Sequence, residues 1–470
     1  MQTEYIQKAI DYCFENGGGE VVIPSGEYLV GCIRLRSNIT LHLMESAVLK
    51  GSRNPDIYAN YLSDALEPIP TEVQTDKLWS QNIVEKTLVR DHSFIRIAAS
   101  RWHNSIIKAM YADNIAIIGE KGSMIDGCDC FDEQGEEGYR GPHAIDMSYC
   151  SNIRFSGYTV VNSANWAHPI LYCRNIDVRN VEVRAGHDGV HITCCDNINI
   201  ASCRFYTGDD CVACFDNVNM TVTDCECNTA CSAFRLGGTN VFITKCRIWG
   251  PAKYTFRGAL SDEEKRNGII SQSNDTKRYN MLSVFTYTAS FAFDIRYQPG
   301  NIVMTDCTVE PCDKLLHYNF SENEIWQRHR PLANIHIENV KAQDLAMPSV
   351  IYGDSDIMVN AEIENCKLSY ANECDSYIYA ANFKEISLKN TEINGKSADA
   401  VIKVWGEVGE INDSGLKTDV NCLAEKAADE FTCRPIWRGN RIIATCAISG
   451  QSVGTAVPLT PFRTDGQALV

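Results

Sequence analysis

Short runs of alternating apolar and polar residues recur along most of the chain, and this period of two predicts half-buried β-strands. Many runs open with an asparagine followed by isoleucine or valine, at Asn114, Asn152, Asn175, Asn197, Asn217, Asn240, Asn301 and Asn334. From Asn152 to Asn240 the intervals are 23, 22, 20 and 23 residues. Propeller blades need roughly twice this length, and the regular leucine frame of a leucine-rich repeat is missing. The pattern therefore predicts an all-β fold, a right-handed parallel β-helix whose strands pair from coil to coil.

The two ends and two interior breaks depart from this repeat. Residues 3–16 place apolar side chains on one helical face, and Gly17-Gly18-Gly19 ends the helix. We expect this N-terminal helix to cap the open end of the β-helix, because exposed terminal strands invite aggregation. Loop insertions are predicted near 52–105 and 251–300, followed by a less regular C-terminal cap. No linker separates domains, so a single β-helix domain over residues 1–470 is predicted.

The chain has 22 cysteines, and many follow the same repeat. Two series fall in register, Cys150, Cys173 and Cys195, and then Cys203, Cys225 and Cys246. Recurrence at one repeat position predicts stacked small side chains in the core rather than disulfides. Free buried thiols fit a reducing compartment, and the N-terminus shows no export signal, so we expect a cytoplasmic protein. No second spaced cysteine pair completes a zinc site, and no metal or other cofactor is predicted.

The charge of the chain limits its partners. The formal net charge is −17, which argues against nucleic acid and against an anionic membrane surface. No run of 18 apolar residues is present. An acidic sugar stays compatible with these facts, because a local arginine cluster can override the global field. The sequence leaves homo-oligomerisation open.

Candidate chemistry is concentrated between Gly186 and Gly238. Asp188 lies 21 residues before Asp209 and 22 before Asp210, close to one repeat, so the three carboxylates should form one cluster. Neighbouring carboxylates raise one another's pKa, which suits a general acid beside a general base. Paired carboxylates on a rigid scaffold are the minimal equipment for glycoside hydrolysis. The same residues could instead bind Ca²⁺ or cap turns.

Several motifs carry a resemblance to a known family. They are the opening segment 3–43, Met124-Ile125-Asp126-Gly127, SANWAHPILYCRN, His187-Asp188-Gly189 and Gly208-Asp209-Asp210-Cys211. Over most of residues 3–250 the sequence resembles glycoside hydrolase family 28, the polygalacturonases and their relatives, which are right-handed parallel β-helices and inverting hydrolases. The resemblance implies that Asp209 protonates the leaving oxygen. It also implies that Asp188 and Asp210 activate the attacking water.

The sequence departs from the family at two substrate anchors. Ser232 stands where the family has the histidine of Gly-His-Gly, and Arg257-Gly258-Ala259 stands where it has Arg-x-Lys. We expect Ser232 and Arg257 to lie at the substrate, with Arg235 supplying a positive charge. His187 and His191 are the candidates to take the histidine's place.

Trp166 and His168, both in SANWAHP, match a family segment near the substrate groove, and a tryptophan is suited to stacking on a sugar. We expect hydrolysis of an oligosaccharide, a pectin-derived or other plant-glycan fragment, because the insertions could close the groove to a pocket. A uronate lyase or epimerase using Ca²⁺, and a non-catalytic carbohydrate-binding protein, are the alternatives. Retention of all three aspartates argues against the binding protein.

Overall fold

The computed structural model describes residues 1–58, 101–268, 279–289, 296–320, 327 and 330–426, and the backbone of three later strands. The chain divides into two compact units. The first comprises Met1–Ala213, Tyr254–Gln272 and Ala292–Asp294, and the second Cys214–Lys253, Ser273–Phe291 and Ile295–Val470. The single domain predicted over residues 1–470 stays a prediction.

The first unit begins with helix α1 (Thr3–Glu15) and continues almost entirely in short strands. These are β1 (Gly19–Ile23), β2 (Gly26–Val30), β3 (Ile33–Arg34), β4 (Ile39–Leu43), β5 (Ala47–Gly51), β6 (Ser105–Met110), β7 (Asp113–Gly119), β8 (Met124–Asp126), β9 (Phe131–Glu136), β10 (His143–Ser148), β11 (Ser151–Ser156), β12 (Thr159–Val161), β13 (His168–Leu171), β14 (Arg174–Arg179), β15 (Glu182–Ala185), β16 (Val190–Thr193), β17 (Asp196–Ala201) and β18 (Arg204–Thr207). Strand β19 (Val212–Phe215) begins in this unit and ends in the next.

Parallel pairing arranges these strands, except β9, in three files. One file contains β3, β6, β10, β13 and β16, a second contains β1, β4, β7, β11, β14 and β17, and the third contains β2, β5, β8, β12, β15 and β18. In the second file Ile115, Ile153, Ile176 and Ile198 are register partners and all are buried. Identical apolar positions therefore stack along the axis, as the repeat predicts, and the parallel β-helix is confirmed.

The second unit repeats the three-file plan. Its parallel strands are β20 (Asn217–Thr223), β21 (Glu226–Thr229), β22 (Ser232–Leu236), β23 (Gly238–Thr244), β24 (Arg247–Ile248), β25 (Ser283–Tyr287), β26 (Gly300–Thr305), β27 (Thr308–Val309), β28 (Lys314–Asn319), β29 (Asn334–Glu338), β30 (Lys341–Leu345), β31 (Ser349–Tyr352), β32 (Val359–Glu364), β33 (Lys367–Tyr370), β34 (Ser376–Ser387), β35 (Glu392–Asn394), β36 (Ala400–Asn412), β37 (Lys417–Thr418) and β38 (Ala424–Lys426). The long strands β34 and β36 each run through two files. The last strands, β39 (Phe431–Arg438), β40 (Arg441–Ile448) and β41 (Gln451–Val453), are antiparallel, a departure from the repeat at the predicted C-terminal cap.

The recurring asparagines form a side-chain ladder at one turn of the coil. Asn175 donates to Asn152 (2.9 Å), and Asn197 donates to Asn175 (3.1 Å). All three have a left-handed backbone, which asparagine tolerates better than most residues. In the second unit Asn240 donates to Asn219 (3.0 Å), so Asn219 rather than Asn217 holds the ladder position. The prediction that Asn217 holds the repeat position is therefore wrong, because the position lies two residues later.

The cysteine series also forms a ladder. The Cys150 amide donates to the sulfur of Cys173 (3.2 Å), and the Cys173 amide donates to the sulfur of Cys195 (3.1 Å). Burial raises the pKa of the Cys173 thiol well above its usual value. These thiols are buried and free, as predicted, and they satisfy backbone groups at a turn as well as filling the core.

Helix α1 caps the first unit. Ile6 and Ile10 are its buried face. The side chain of Gln7 makes both hydrogen bonds of a strand partner to Arg34, accepting from its amide (2.8 Å) and donating to its carbonyl (3.1 Å). An edge strand that would otherwise expose unpaired backbone is thereby covered, and the predicted capping helix is confirmed.

Of the predicted insertion near 52–105, residues 59–100 lie outside the described residues. The insertion near 251–300 contributes residues 254–268 to the first unit, including helix α2 (Asp262–Asn267). Ser261 and Glu264 form a reciprocal capping box at its start. Within the described part of the chain, every helix is too short or too polar to cross a membrane.

Candidate active site

Two turns of successive coils carry the three aspartates. Asp188 follows β15 and precedes β16, while Asp209 and Asp210 follow β18, the neighbour of β15 in the third file. The Gly208 amide donates to the carbonyl of Ala185 (2.9 Å), and the Gly189 amide donates to the carbonyl of Asp210 (2.9 Å). The backbone of one turn therefore lies directly on the other. The sequence spacing brings the aspartates to adjacent turns, as its period predicts.

Glycines in these turns let a distant segment approach. A Cβ atom at Gly208 would lie 2.2 Å from the carbonyl oxygen of Thr255, and one at Gly186 would lie 2.9 Å from the Cβ of Arg257. The Arg257 amide also donates to the carbonyl of Gly186 (3.0 Å). Any side chain at Gly208 would displace this backbone. Residues 254–260 thus form a wall beside the aspartates.

Asp188 is held by a histidine on the next strand. Its carboxylate Oδ2 lies 2.7 Å from Nδ1 of His191, and both side chains are 2% exposed. The ring of His191 stacks on Trp166 with centroids 3.5 Å apart and planes inclined by 7°. Trp102 meets Trp166 edge-on at 4.5 Å. His191 covers one face of the Trp166 ring, so a sugar cannot stack on that face, and the predicted sugar-stacking role of Trp166 stays a prediction.

Asp209 and Asp210 differ in exposure. Asp210 is fully buried, whereas Asp209 is partly exposed, and the two place carboxylate oxygens within 4.8 Å of each other. Oxygens this close could also share a divalent cation, the arrangement that a Ca²⁺-dependent lyase would need.

A buried arginine missed by the sequence analysis lies in the field of Asp209. Burial disfavours the charge of Arg140, but Glu136, Glu137 and Asp209 together raise its pKa well above the usual value. The guanidinium lies 3.4 Å from Glu136 and 3.2 Å from Glu137. Arg140 follows β9 in a hairpin that the repeat does not contain, so no periodic signal marks it.

Tyr139 is the centre of a cation-rich group next to His187. The two rings are inclined by 20° with centroids 6.2 Å apart. Lys265, from helix α2, places Nζ 3.9 Å from the Tyr139 ring centroid, and the Arg257 guanidinium is 5.9 Å from it. The structure therefore brings His187 and Arg257 together through a tyrosine and a lysine that the sequence analysis did not single out.

Arg257, predicted at the substrate, is buried in an ion pair. Its Nε lies 2.6 Å from Oδ1 of Asp129. Burial raises the pKa of Asp129 to about 6, although Arg257 opposes that rise. Burial likewise lowers the pKa of Arg257. For both side chains, the cost of desolvation is larger than the gain from their electrostatic attraction. The ion pair therefore adds little to stability, but removing one partner would leave the other charge buried and would destabilise the fold.

His168 lies inside the core. Its Nε2 is 3.1 Å from the hydroxyl of Tyr158, and its Nδ1 is 3.0 Å from the carbonyl of Gly189. Burial lowers the pKa of His168 to about 4, so the ring is neutral near pH 7. This placement gives it a direct contact with the turn that carries Asp188 and no exposed surface for a sugar.

Ser232 and Arg235 belong to the second unit. Ser232 Oγ lies 3.1 Å from the hydroxyl of Thr286, which is the strand partner of Arg235. The guanidinium of Arg235 is 5.9 Å from the Phe215 ring centroid. Both side chains therefore have defined contacts in that unit, and their substrate roles stay predictions.

The comparisons with known proteins agree with this architecture. Residues 69–231 match the family model for glycosyl hydrolases family 28. A probable polygalacturonase of Vitis vinifera is 28% identical over 226 residues, covering 45% of this chain and 40% of the relative. An exo-poly-alpha-D-galacturonosidase of Dickeya chrysanthemi is 26% identical over 235 residues, covering 45% and 38%. The chain thus spans less than half the length of these curated relatives.

Among solved structures, a family 28 exopolygalacturonase of Yersinia enterocolitica aligns with a TM-score of 0.54 at 16% identity, covering 90% of this chain and 75% of that one. This likeness supports the right-handed parallel β-helix. Fold and site together define a β-helical protein with aspartates stacked on adjacent turns. Over residues 69–231 the chain is similar to glycosyl hydrolases family 28, and the relatives it matches at low identity include a probable polygalacturonase.

Proposed function

We propose that this protein is an inverting glycoside hydrolase that acts on an oligosaccharide, a pectin-derived or other plant-glycan fragment. The observation that carries the proposal is the stacking of the Asp188 turn on the turn of Asp209 and Asp210. The family match and the names of the relatives support a galacturonide-type substrate.

The exposure of the aspartates supports a division of labour. Asp209 is the partly exposed member and donates a proton to the leaving glycosidic oxygen. Asp188 and Asp210 are buried carboxyl groups, and they act as the base that accepts a proton from the attacking water. One water is consumed, one C–O bond breaks and one forms, and the acid and base exchange protonation states over the cycle.

The cations beside Asp209 support an acidic substrate. Arg140 and Lys265 are buried at the Tyr139 group, in a protein whose net charge is −17. A negatively charged sugar would be repelled by the net charge of the protein, and these buried cations would oppose that repulsion locally.

The decisive experiment compares wild type with Asp209→Asn on a panel of oligogalacturonides and neutral α-linked oligosaccharides. We expect kcat to fall by about 10²–10⁴-fold, the contribution of a general acid. Asp177→Asn is a matched control, since Asp177 lies on strand β14 and pairs with Arg179, and it should retain full activity. An inactive wild type on the whole panel, or an Asp209→Asn variant as active as wild type, would refute the assignment.

Two further readouts separate the hydrolase from the lyase suggested by the close oxygens of Asp209 and Asp210. Hydrolysis leaves no new C=C absorbance and persists in a chelator, whereas a Ca²⁺-dependent lyase shows the opposite. Proton NMR of the first product should show an inverted anomeric configuration. Retention of the anomeric configuration would exclude the proposed roles of the three aspartates, although the protein would still be a hydrolase.

A further inference from the structure

Among the described residues of the first unit, two buried histidine–aspartate pairs are present, and one of them includes a candidate catalytic aspartate. His191 lies 2.7 Å from Asp188, and His103 lies 2.8 Å from Asp146. We propose that His191, fixed by Trp166, is a positioning residue that orients Asp188 toward the attacking water. The inference rests on the proposed hydrolytic function and adds two residues to its machinery.

The strand geometry explains why His191 faces the carboxylate. Val190 and Ile192 flank it and are fully buried in the core, so His191 points to the opposite side of β16. That side also presents Pro169, the register partner of His191, and Asp146, which directly precedes the pair of Met147 with Ile170. His191 therefore belongs to an outward row of the sheet that leads to the aspartate turns.

Trp166 fixes the histidine ring, and its own backbone is fixed in turn. The near-parallel stack at 3.5 Å leaves the imidazole one plane in which to lie. The Trp166 amide donates to the Asn165 side chain (3.0 Å), and its carbonyl accepts from Ser163 (3.1 Å).

The same segment also holds the backbone of the catalytic turn. The Ala167 amide donates to the carbonyl of Asp188 (2.9 Å). Asp188 is thus fixed at two points, its backbone by Ala167 and its carboxylate by His191. Because His191 holds Oδ2, the direction of Oδ1 is fixed as well. A general base needs such a fixed direction to accept a proton from a water at a defined angle.

The expected effect is on the rate rather than on binding. Misplacing a reacting group by about 1 Å can cost about 10²-fold in rate. His191→Ala should therefore lower kcat by about 10–100-fold and change KM by less than about threefold. Trp166→Ala should reproduce this loss, while Trp166→Phe, which keeps an aromatic face under the imidazole, should recover most of the rate. His191→Asn, which keeps a hydrogen-bond donor, should also be faster than His191→Ala.

His103→Ala is the matched control, because it removes an equally buried histidine from an aspartate. We expect it to lower the melting temperature about as much as His191→Ala and to leave kcat at the wild-type value. Equal kcat losses in the two variants would overturn the proposal, since the effect would then belong to general destabilisation. An unchanged kcat in a folded His191→Ala variant would overturn it as well.

A readout without turnover separates this inference from the proposed function. In wild type the imidazole resonances of His191 should report Nδ1 hydrogen-bonded to a carboxylate, and Asp188→Asn should change them. If the panel shows no hydrolysis but this NMR signature is present, the function fails and the positioning contact stands. If hydrolysis occurs but Asp188→Asn leaves the imidazole signals unchanged, the positioning role fails alone.

Discussion

Arg257 has a structural partner that the sequence did not indicate, and its predicted substrate role stays a prediction. The resemblance predicted a substrate-binding arginine, and the structure seats it beside the aspartate turns, but facing Asp129 at 2.6 Å. The guanidinium makes its further contacts with the backbone carbonyls of Ala164 and Asp129, each at 3.4 Å. Sequence could not foresee this partner, because Asp129 lies 128 residues away in a segment outside the repeat.

A stability measurement distinguishes the structural role of Arg257 from the predicted substrate role. Arg257→Ala leaves the Asp129 carboxylate buried without its cation, which should lower the free energy of unfolding by about 3–5 kcal/mol. Arg257→Met combined with Asp129→Leu removes both charges and should recover most of that loss. Urea unfolding provides the comparison. Normal stability with a strongly raised KM would instead favour direct contact with substrate.

Histidines show what strand alternation can and cannot decide. His168 and His191 are strand residues of neighbouring coils, yet one points into the core and the other away from it. His168 pairs with Val190, one position before His191 in register, and that single step reverses the face. The sequence named both histidines, but without the register it could not tell which one reaches Asp188.

At the level of elements, the strands were predictable and the turns only in part. The apolar alternation and the interval between asparagines define the coil. Asn217 and Asn219 lie two residues apart, and the structure identifies Asn219 as the ladder residue by its left-handed backbone and its hydrogen bond from Asn240. The hairpin of Tyr139 and Arg140 and helix α2 with Lys265 escaped the prediction, because neither repeats and their contacts are long-range.

The asparagine ladder supports a prediction for turn stability. Asn175 has φ of +55° and connects Asn152 to Asn197. Asn175→Ala should cost about 1–3 kcal/mol in unfolding free energy, because it loses the ladder bonds and strains the left-handed backbone. Asn175→Gly loses the same ladder bonds but adopts the left-handed backbone without strain, so it should be more stable than Asn175→Ala by about 1 kcal/mol.

Asn199→Ala provides the comparison for this series. Asn199 lies within strand β17 and donates to Asp177 (2.6 Å). Its backbone is not left-handed, so Asn199→Ala removes a hydrogen bond without adding backbone strain. Denaturant unfolding of the three variants measures each contribution. Equal stability of the alanine and glycine variants at position 175 would show that backbone strain contributes nothing there.

At the scale of the whole molecule, net charge and local cations act in opposite directions. A net charge of −17 repels a long polyuronate, while a short fragment has only a few charges to bring near the surface. The fold class followed from the sequence because it depends on a sum over many coils. Substrate length could not follow from the same pattern, since it depends on walls formed by non-repeating segments.

Substrate length gives the corresponding prediction. We expect kcat/KM for a trigalacturonide to exceed that for polygalacturonate at low ionic strength. In 0.5 M NaCl the difference in kcat/KM should become smaller, because the Debye length falls to about 4 Å and the repulsion between protein and polymer weakens. Reducing-end release at several salt concentrations measures both values. A neutral oligosaccharide serves as the control for salt effects on the enzyme itself. Faster cleavage of the polymer at every salt concentration would contradict an oligosaccharide-directed enzyme.

The return of residues 254–268 to the first unit has a consequence for the divisibility of the chain. Truncation after Ala213 would preserve the aspartate turns and most coils of that unit. It would also remove the arginine paired with Asp129, the lysine over Tyr139 and the backbone that covers Gly186 and Gly208. The aspartate turns therefore depend on a segment that follows Lys253 in the sequence, although residues 214–253 belong to the second unit.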